Sequence, residues 1–341
     1  MSKKDKKRRK EQDKKQEKEE KKARRKQEKA AGRVELETGL EKVPAAPELQ
    51  QGTYSDGHPL DEVHYLECKL ILKAERFTSV KSFRQFADFV RRASARSGVD
   101  FDTSSCAGML PQIREVLFLD TSDFQLYNNA FILRRRTLFE NGFPVGEPEV
   151  VFKFRHPDLQ TAAETDVRPS IPGPHVMKFK AEALPLKERL GGFRLLYSHT
   201  VQFLTSAVPD SETHTAAREI AKALPVLQRL SFAGDEQVQL VNQMIVEEVL
   251  QDLGVLDFGK GITARANASL WRSRGEHRLL VGEFSFQTRF RRRDELHEKA
   301  LHRVQKFFVE LQEALGEWVA LSTTKTGVVY QLHGNPPTAH E

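Results

Sequence analysis

The sequence predicts an α+β fold: an antiparallel β-barrel closed into a tunnel, with helices packed on the outside. Three observations carry that expectation. The first is Tyr65–Leu72, where Leu66, Cys68, Leu70 and Leu72 share one parity and Tyr65, Glu67, Lys69 and Ile71 the other, the two-residue period of a strand with a greasy and a charged face. The second is repetition of that pattern. Arg134 and Arg136 alternate within 131–136, Lys153 and Arg155 oppose Phe152 and Phe154, and Glu283, Ser285 and Gln287 oppose Phe284 and Phe286. The third is a pair of long segments with apolar residues at helical spacing, suited to covering greasy strand faces. Read singly, each strand is an ordinary half-solvated one with its charges toward water. Read together, a barrel with helices outside turns the charged parities into a lumen. Arg and Lys with a few carboxylates in such a lumen suit a multiply charged anion and a metal ion.

From the start of the chain, 1–32 carries 16 Lys/Arg against 7 Asp/Glu, a net of +9, so the overall +6 leaves −3 for the remainder. That tail has no apolar stripe and is expected to be disordered or a transiently solvated helix. It reads equally as a solubilising tail or as an arm that contacts RNA or another polyanion. Residues 33–60, with Pro44, Pro47, Gly52, Gly57 and Pro59, read as a linker, 61–335 as one domain, and 336–341 as a disordered end. Hydrophobic residues make up 39% of the chain, enough for a sizeable core. No apolar run reaches the roughly 18 residues of a membrane helix, and no signal peptide is recognisable. Two cysteines form no disulfide framework, which fits a reducing compartment and a cytoplasmic location. Cys68, on the apolar parity, reads as packing.

After the first strand, Thr78 or Ser79 caps a helix running to Ser97, with Phe83, Phe86, Phe89, Val90 and Ala93 on one stripe and Gly98 as its stop. Glu115–Leu119 reads as a strand delivering Asp120 and Thr121. Asn141-Gly142 between two β-rich runs signals a hairpin, making the arginine strand and the Lys153/Arg155 strand antiparallel neighbours. Glu164, Asp166, Arg168 and Lys180 read as surface charge, with Glu182 a candidate for the lumen. Ser211 is expected to cap a helix to Ala223, and 238–253 has helical spacing ending before Gly254. Thr263, Arg265, Asn267, Ser269 and Trp271 alternate as another strand, placing Arg265 in the lumen. The longest helix is expected over 292–318, followed by Lys325. No Walker loop, nucleophile elbow or His/Cys metal spacing occurs.

These residues resemble the CYTH domain, the triphosphate tunnel metalloenzymes, over roughly 61–332. The family opens on a strand reading ExExK, matched here by Tyr65, Glu67 and Lys69. Its Asp-Thr-x-Asp segment before an arginine-tipped strand is matched by Asp120-Thr121-Ser122-Asp123 and then Arg134, Arg135 and Arg136. Lys153 with Arg155, Glu283 and the late Lys325 follow in the family's order. The resemblance implies a metal-dependent hydrolase of a triphosphate, whether inorganic triphosphate, thiamine triphosphate or a nucleoside triphosphate. Arg134, Arg136, Lys153, Arg155 and Arg265 would bind phosphate, where paired guanidinium donors and compact ammonium charges suit its oxygens. Glu67, Glu283 and Glu182 would hold Mg2+ or Mn2+, while Glu67, Lys69 and Lys325 would serve the reacting phosphate with a water as nucleophile. Tyr65 and Ser285 stand where the family has further carboxylates, and their loss weakens a hard divalent ion. The alternative is therefore a catalytically weak module that binds polyphosphate or an organic triphosphate. A third reading is a scaffold whose lumen is vestigial.

Overall fold

The structure, a computed structural model, describes residues 52–208 and 215–332. The basic tail, most of the expected linker, Ser211 and the C-terminal end lie outside the described residues. The described residues form eleven strands: β1 Tyr65–Leu72, β2 Asp100–Asp102, β3 Gln112–Asp120, β4 Phe131–Glu140, β5 Phe143–His156, β6 Val176–Pro185, β7 Phe193–Leu204, β8 Thr215–Ala216, β9 Gln237–Asp257, β10 Thr263–Ser273 and β11 Leu279–Arg289. The helices are α1 Val80–Ser97, α2 Gln125–Asn128, α3 Leu159–Glu164, α4 Ala217–Ala223, α5 Glu298–Leu315 and α6 Lys325–Tyr330.

Nine strands close on themselves in the order β10-β11-β1-β6-β7-β5-β4-β3-β9, with β9 pairing back to β10; β2 and β8 pair with β9 beside the barrel. The barrel is mixed and not wholly antiparallel, because β1 and β6 run parallel with Glu67 beside Glu182. Asn141 and Gly142, with φ of 51° and 86°, form the two-residue turn that joins β4 to β5. Outward-facing Cys68, Leu70, Leu72, Phe284 and Phe286 are buried beneath α1 and α5. Phe86 of α1 meets Phe284 at 5.3 Å between ring centroids, and Phe307 of α5 meets Phe286 at 5.3 Å. The α1 boundaries agree with the sequence, with Ser79 as N-cap and Gly98 left-handed at the stop. At the end of the expected linker, Thr53 bridges Pro59, and Tyr54 and Leu60 are buried against the barrel.

Three expectations are corrected. Residues 238–253 are not a helix but the middle of β9. Asn242 and Gln243 both have positive φ (50° and 51°), and the β3–β9 register slips there, from Leu117 opposite Ile245 to Leu119 opposite Leu240. That bulge resets the two-residue period and leaves apolar residues at spacings that imitate a helical stripe. The long helix starts at Glu298, capped by His297, with single 3-10 turns at 293–295 and 316–318. Lys180 is not surface charge but sits on the inward face of β6 with Glu182.

The inward parity also changes character along the barrel. Ile71, Val116, Phe118, Ile132, Val246, Trp271 and Val281 continue the same inward rows as the charged residues, and join Val329 and Tyr330 of α6 in one buried cluster. This apolar floor closes one end. Among the described residues the expected tunnel is thus a cup, floored at one end where α6 lays its apolar side chains across it.

Candidate functional site

Above the floor the inward positions turn ionic. They surround a cavity of about 500 Å3 lined, among the described residues, by ten cationic side chains and five carboxylates. The chain beyond residue 32 carries a net charge of −3, so this excess of five positive charges is concentrated in the lumen and not spread over the fold. All the residues singled out from sequence line it: Glu67, Lys69, Arg134, Arg136, Lys153, Arg155, Glu182, Arg265, Glu283 and Lys325. Arg114, Lys178, Lys180, Glu248 and Asp252 complete the set. The alternation Lys178, Lys180, Glu182 on β6 was a readable signal for two of these. Glu248 and Asp252 were hidden by the helix-like spacing of β9.

Two ionic centres organise the carboxylates. At the first, Glu182 is fully buried and accepts from Lys153 Nζ at 2.6 Å and Ser198 Oγ at 2.5 Å. Its Oε2 lies 3.2 Å from Lys69 Nζ and 3.5 Å from Arg155 Nε. Lys69 also pairs with Glu67 at 3.1 Å, and Glu67 with Lys180 at 3.2 Å. At the second centre, Lys325 Nζ lies 3.1 Å from Glu248 and 2.7 Å from Glu283, over the Trp271 ring at 4.5 Å. Trp271 Nε1 donates to Glu248 at 2.7 Å. Nearer the mouth, Arg265 is largely exposed and pairs with Asp252. Lys178 Nζ donates to Gln202 at 2.8 Å.

Arg134 stands apart. It rests above the floor with its guanidinium over the Phe118 ring at 5.6 Å, and its buried Nε has no hydrogen-bond partner among the described residues. Burial, then the like charges of Arg136 and Arg155, push its pKa down to about 9. Burial and Arg155 likewise pull the Lys153 ammonium well below its ordinary range, against the attraction of Glu182. Mutual repulsion among cations buried this closely would be relieved by an anion of several charges.

The carboxylates respond in the opposite sense. Burial disfavours the charged form of Glu67, yet Lys69 and Lys180 outweigh it and hold its pKa down to about 2. Glu248 is also buried and is held to about 2 by Lys325, Arg114 and Arg136. A carboxylate pKa lower in the fold than in the open chain contributes stability that is present above the ordinary value near 4.5 and disappears as pH falls toward 2. The midpoint of urea unfolding should therefore drop steeply between pH 4.5 and 2. Glu67→Gln/Glu248→Gln should flatten that part of the profile; an unchanged slope would contradict these pairings.

A resident divalent ion needs several oxygen ligands converging on one point. Among the described residues no group of three His, Cys, Asp or Glu side chains is placed to hold one. Glu67, Glu182 and Glu283 therefore do not converge as a single ligand set. Glu182 Oε2 is a buried acceptor without a hydrogen bond, but it lies between Lys69 and Arg155. Lys325 occupies the space between Glu248 and Glu283. Ser285, opposite Lys69 on β1 and Asn267 on β10, brings a neutral oxygen where a charged one is needed. These residues do not fit a resident metal.

No family model matches the chain, and no curated protein matches it. Among solved structures, a Hippeastrum protein described as a candidate adenylyl cyclase with a dominant triphosphatase activity aligns at 12% identity. The match covers 82% of this chain and 100% of that one, with a TM-score of 0.38. A candidate adenylate cyclase of Bacillus halodurans aligns at 11% identity over 77% and 95% of the two chains, with a TM-score of 0.34. A Pyrococcus horikoshii protein aligns at 12% identity over 73% and 90%, with a TM-score of 0.29. Among the described residues no helix is long and apolar enough to cross a membrane. The closed nine-stranded barrel, with helices outside and ionic residues facing inward, is the fold that the sequence's resemblance to the CYTH domain implied.

Proposed function

We propose that the cup binds the phosphate chain of a triphosphate-containing substrate, terminal phosphate first, and hydrolyses the terminal anhydride. The observation that supports this best is the lumen's excess of five cations, with Arg134 buried and lacking a hydrogen-bond partner at Nε. Arg134, Arg136, Lys153 and Arg155 would clamp phosphate oxygens, with Arg265 and Lys178 receiving the chain at the mouth. Lys69 and Lys325 would stand beside the terminal phosphate on the floor side. Phosphoryl transfer runs through a loose transition state, so fixed positive charge around the transferring and leaving oxygens does most of the work. A water is the nucleophile; it displaces the diphosphate end, which leaves as an anion held by the arginines, and the water's proton passes to solvent or product.

A specific observation favours a second reading, binding without turnover: the described lumen contains no three-carboxylate cluster, and four of its five acids are paired to lysines. A panel of inorganic triphosphate, thiamine triphosphate and nucleoside triphosphates, assayed for phosphate release with and without Mg2+ or Mn2+, separates the two. Release from at least one substrate supports hydrolysis. A ligand-induced rise in thermal midpoint without release supports the binding module. Neither response, with any of these anions, defeats both readings and favours a vestigial lumen.

A further inference from the structure

We infer that the chain's own lysines take the place of divalent cations on the lumen carboxylates, so that the cup holds its phosphate ligand without a metal. The inference rests on the phosphate-binding reading above, and departs from the metal dependence that the family resemblance implied. Two pairs of carboxylates lie close enough to share a cation, and each already shares an ammonium. Lys325 Nζ bridges Glu248 and Glu283 at 3.1 and 2.7 Å. Lys69 Nζ bridges Glu67 and Glu182 at 3.1 and 3.2 Å.

The bridging ammonium of Lys325 is not a loose surface group. Lys325 is the first residue of α6, whose cap Thr324 accepts from Gly327 N at 3.0 Å. Farther along the helix, Tyr330 Oη donates to buried Asp120 at 3.0 Å and stacks on Tyr127 at 4.1 Å between ring centroids. Asn242 Nδ2 donates to the carbonyls of Val329 and Tyr330 at 2.7 and 3.1 Å. The helix is thus pinned at its far end, and its first side chain is delivered onto the Trp271 ring between the two acids. A divalent ion entering there must strip its water for two carboxylates and evict an ammonium. That ammonium would be left on an apolar floor without its partners, a cost the ion's few ligands do not offset.

The full chain and its Lys325→Met and Lys69→Met variants, each checked for fold by near-UV circular dichroism, test this with Mn2+ alone, read by electron paramagnetic resonance without any phosphate present. Wild type is expected to show no Mn2+ site tighter than millimolar. Removing Lys325 should expose the Glu248/Glu283 pair and tighten Mn2+ binding by about tenfold or more; Lys69→Met should gain less, since Lys180 still holds Glu67 and Lys153 and Arg155 still hold Glu182. Micromolar Mn2+ binding by wild type overturns the inference, as does failure of every folded variant to gain affinity. In a second arm, calorimetric titration with tripolyphosphate in EDTA and in Mg2+ should give affinities within about threefold, and loss of binding on chelation overturns the inference. Absence of tripolyphosphate binding in both buffers defeats the phosphate reading instead, and the Mn2+ arm still decides whether lysines stand in for the metal.

Discussion

Arg134→Ala is expected to weaken tripolyphosphate binding by roughly ten- to a hundredfold, the effect of losing one or two charge-assisted hydrogen bonds in a buried site. The same substitution should leave the thermal midpoint unchanged or slightly raise it. Most buried charges give the opposite result, because their removal strands a partner. Arg134 strands none: its Nε has no hydrogen-bond partner among the described residues, and after burial its strongest electrostatic influences are the like charges Arg136 and Arg155. Its cationic state is a cost to the unliganded fold that an anion would relieve. Isothermal titration with tripolyphosphate and a thermal melt on the same sample check both halves. Unimpaired binding would remove Arg134 from the phosphate clamp, and a large fall in the melting point would show that it has a structural partner after all.

Glu182→Ala should do the reverse and damage the fold first. Glu182 is fully buried, its pKa is held well below the carboxylate range by Lys153, Lys69 and Arg155 against the penalty of burial, and it also accepts from Ser198 Oγ. Deleting it leaves three cations crowded in the lumen without their shared counterion. Breaking a buried pair from one side costs about 3–5 kcal/mol, or roughly 6–20 °C in the thermal midpoint of a domain this large. Adding Lys153→Met to the variant should recover a substantial part of the loss, since it removes one stranded cation. If the double variant is as unstable as the sum of the two single changes, Glu182 and Lys153 are not coupled, and the 2.6 Å contact between them carries no energy.

The contrast between these two residues explains which parts of the site were readable beforehand. Lys153 lies between two phenylalanines, and Arg134 and Glu283 each have one bulky apolar neighbour, Leu133 and Phe284, on a regular strand, so the inward parity could be read locally and the register did not matter. Lys180 belonged to the same kind of row, but it sat among scattered charges with no family landmark beside it. Glu248 was unreadable for a different reason. The left-handed Asn242 and Gln243 break the period of β9, and a strand whose parity resets mid-course imitates a helix in any short window. The three expected metal ligands were plausible as residue types, yet carboxylate spacing along strands says nothing about which lysine will reach them across the barrel.

The amino-acid order by itself determined that the chain builds strands with one greasy and one ionic face, that two amphipathic helices cover the greasy side, and that arginines and lysines far outnumber acids on the ionic side. Local alternation and helical spacing are properties of neighbouring residues, so they survive without knowledge of the fold. Only the tertiary structure decided that β1 runs parallel to β6, that α6 floors the barrel and makes it a cup, and that Lys325 arrives between Glu248 and Glu283. Those are contacts between residues as much as 210 positions apart, set by strand register and by where the last helix docks, and no local pattern encodes either.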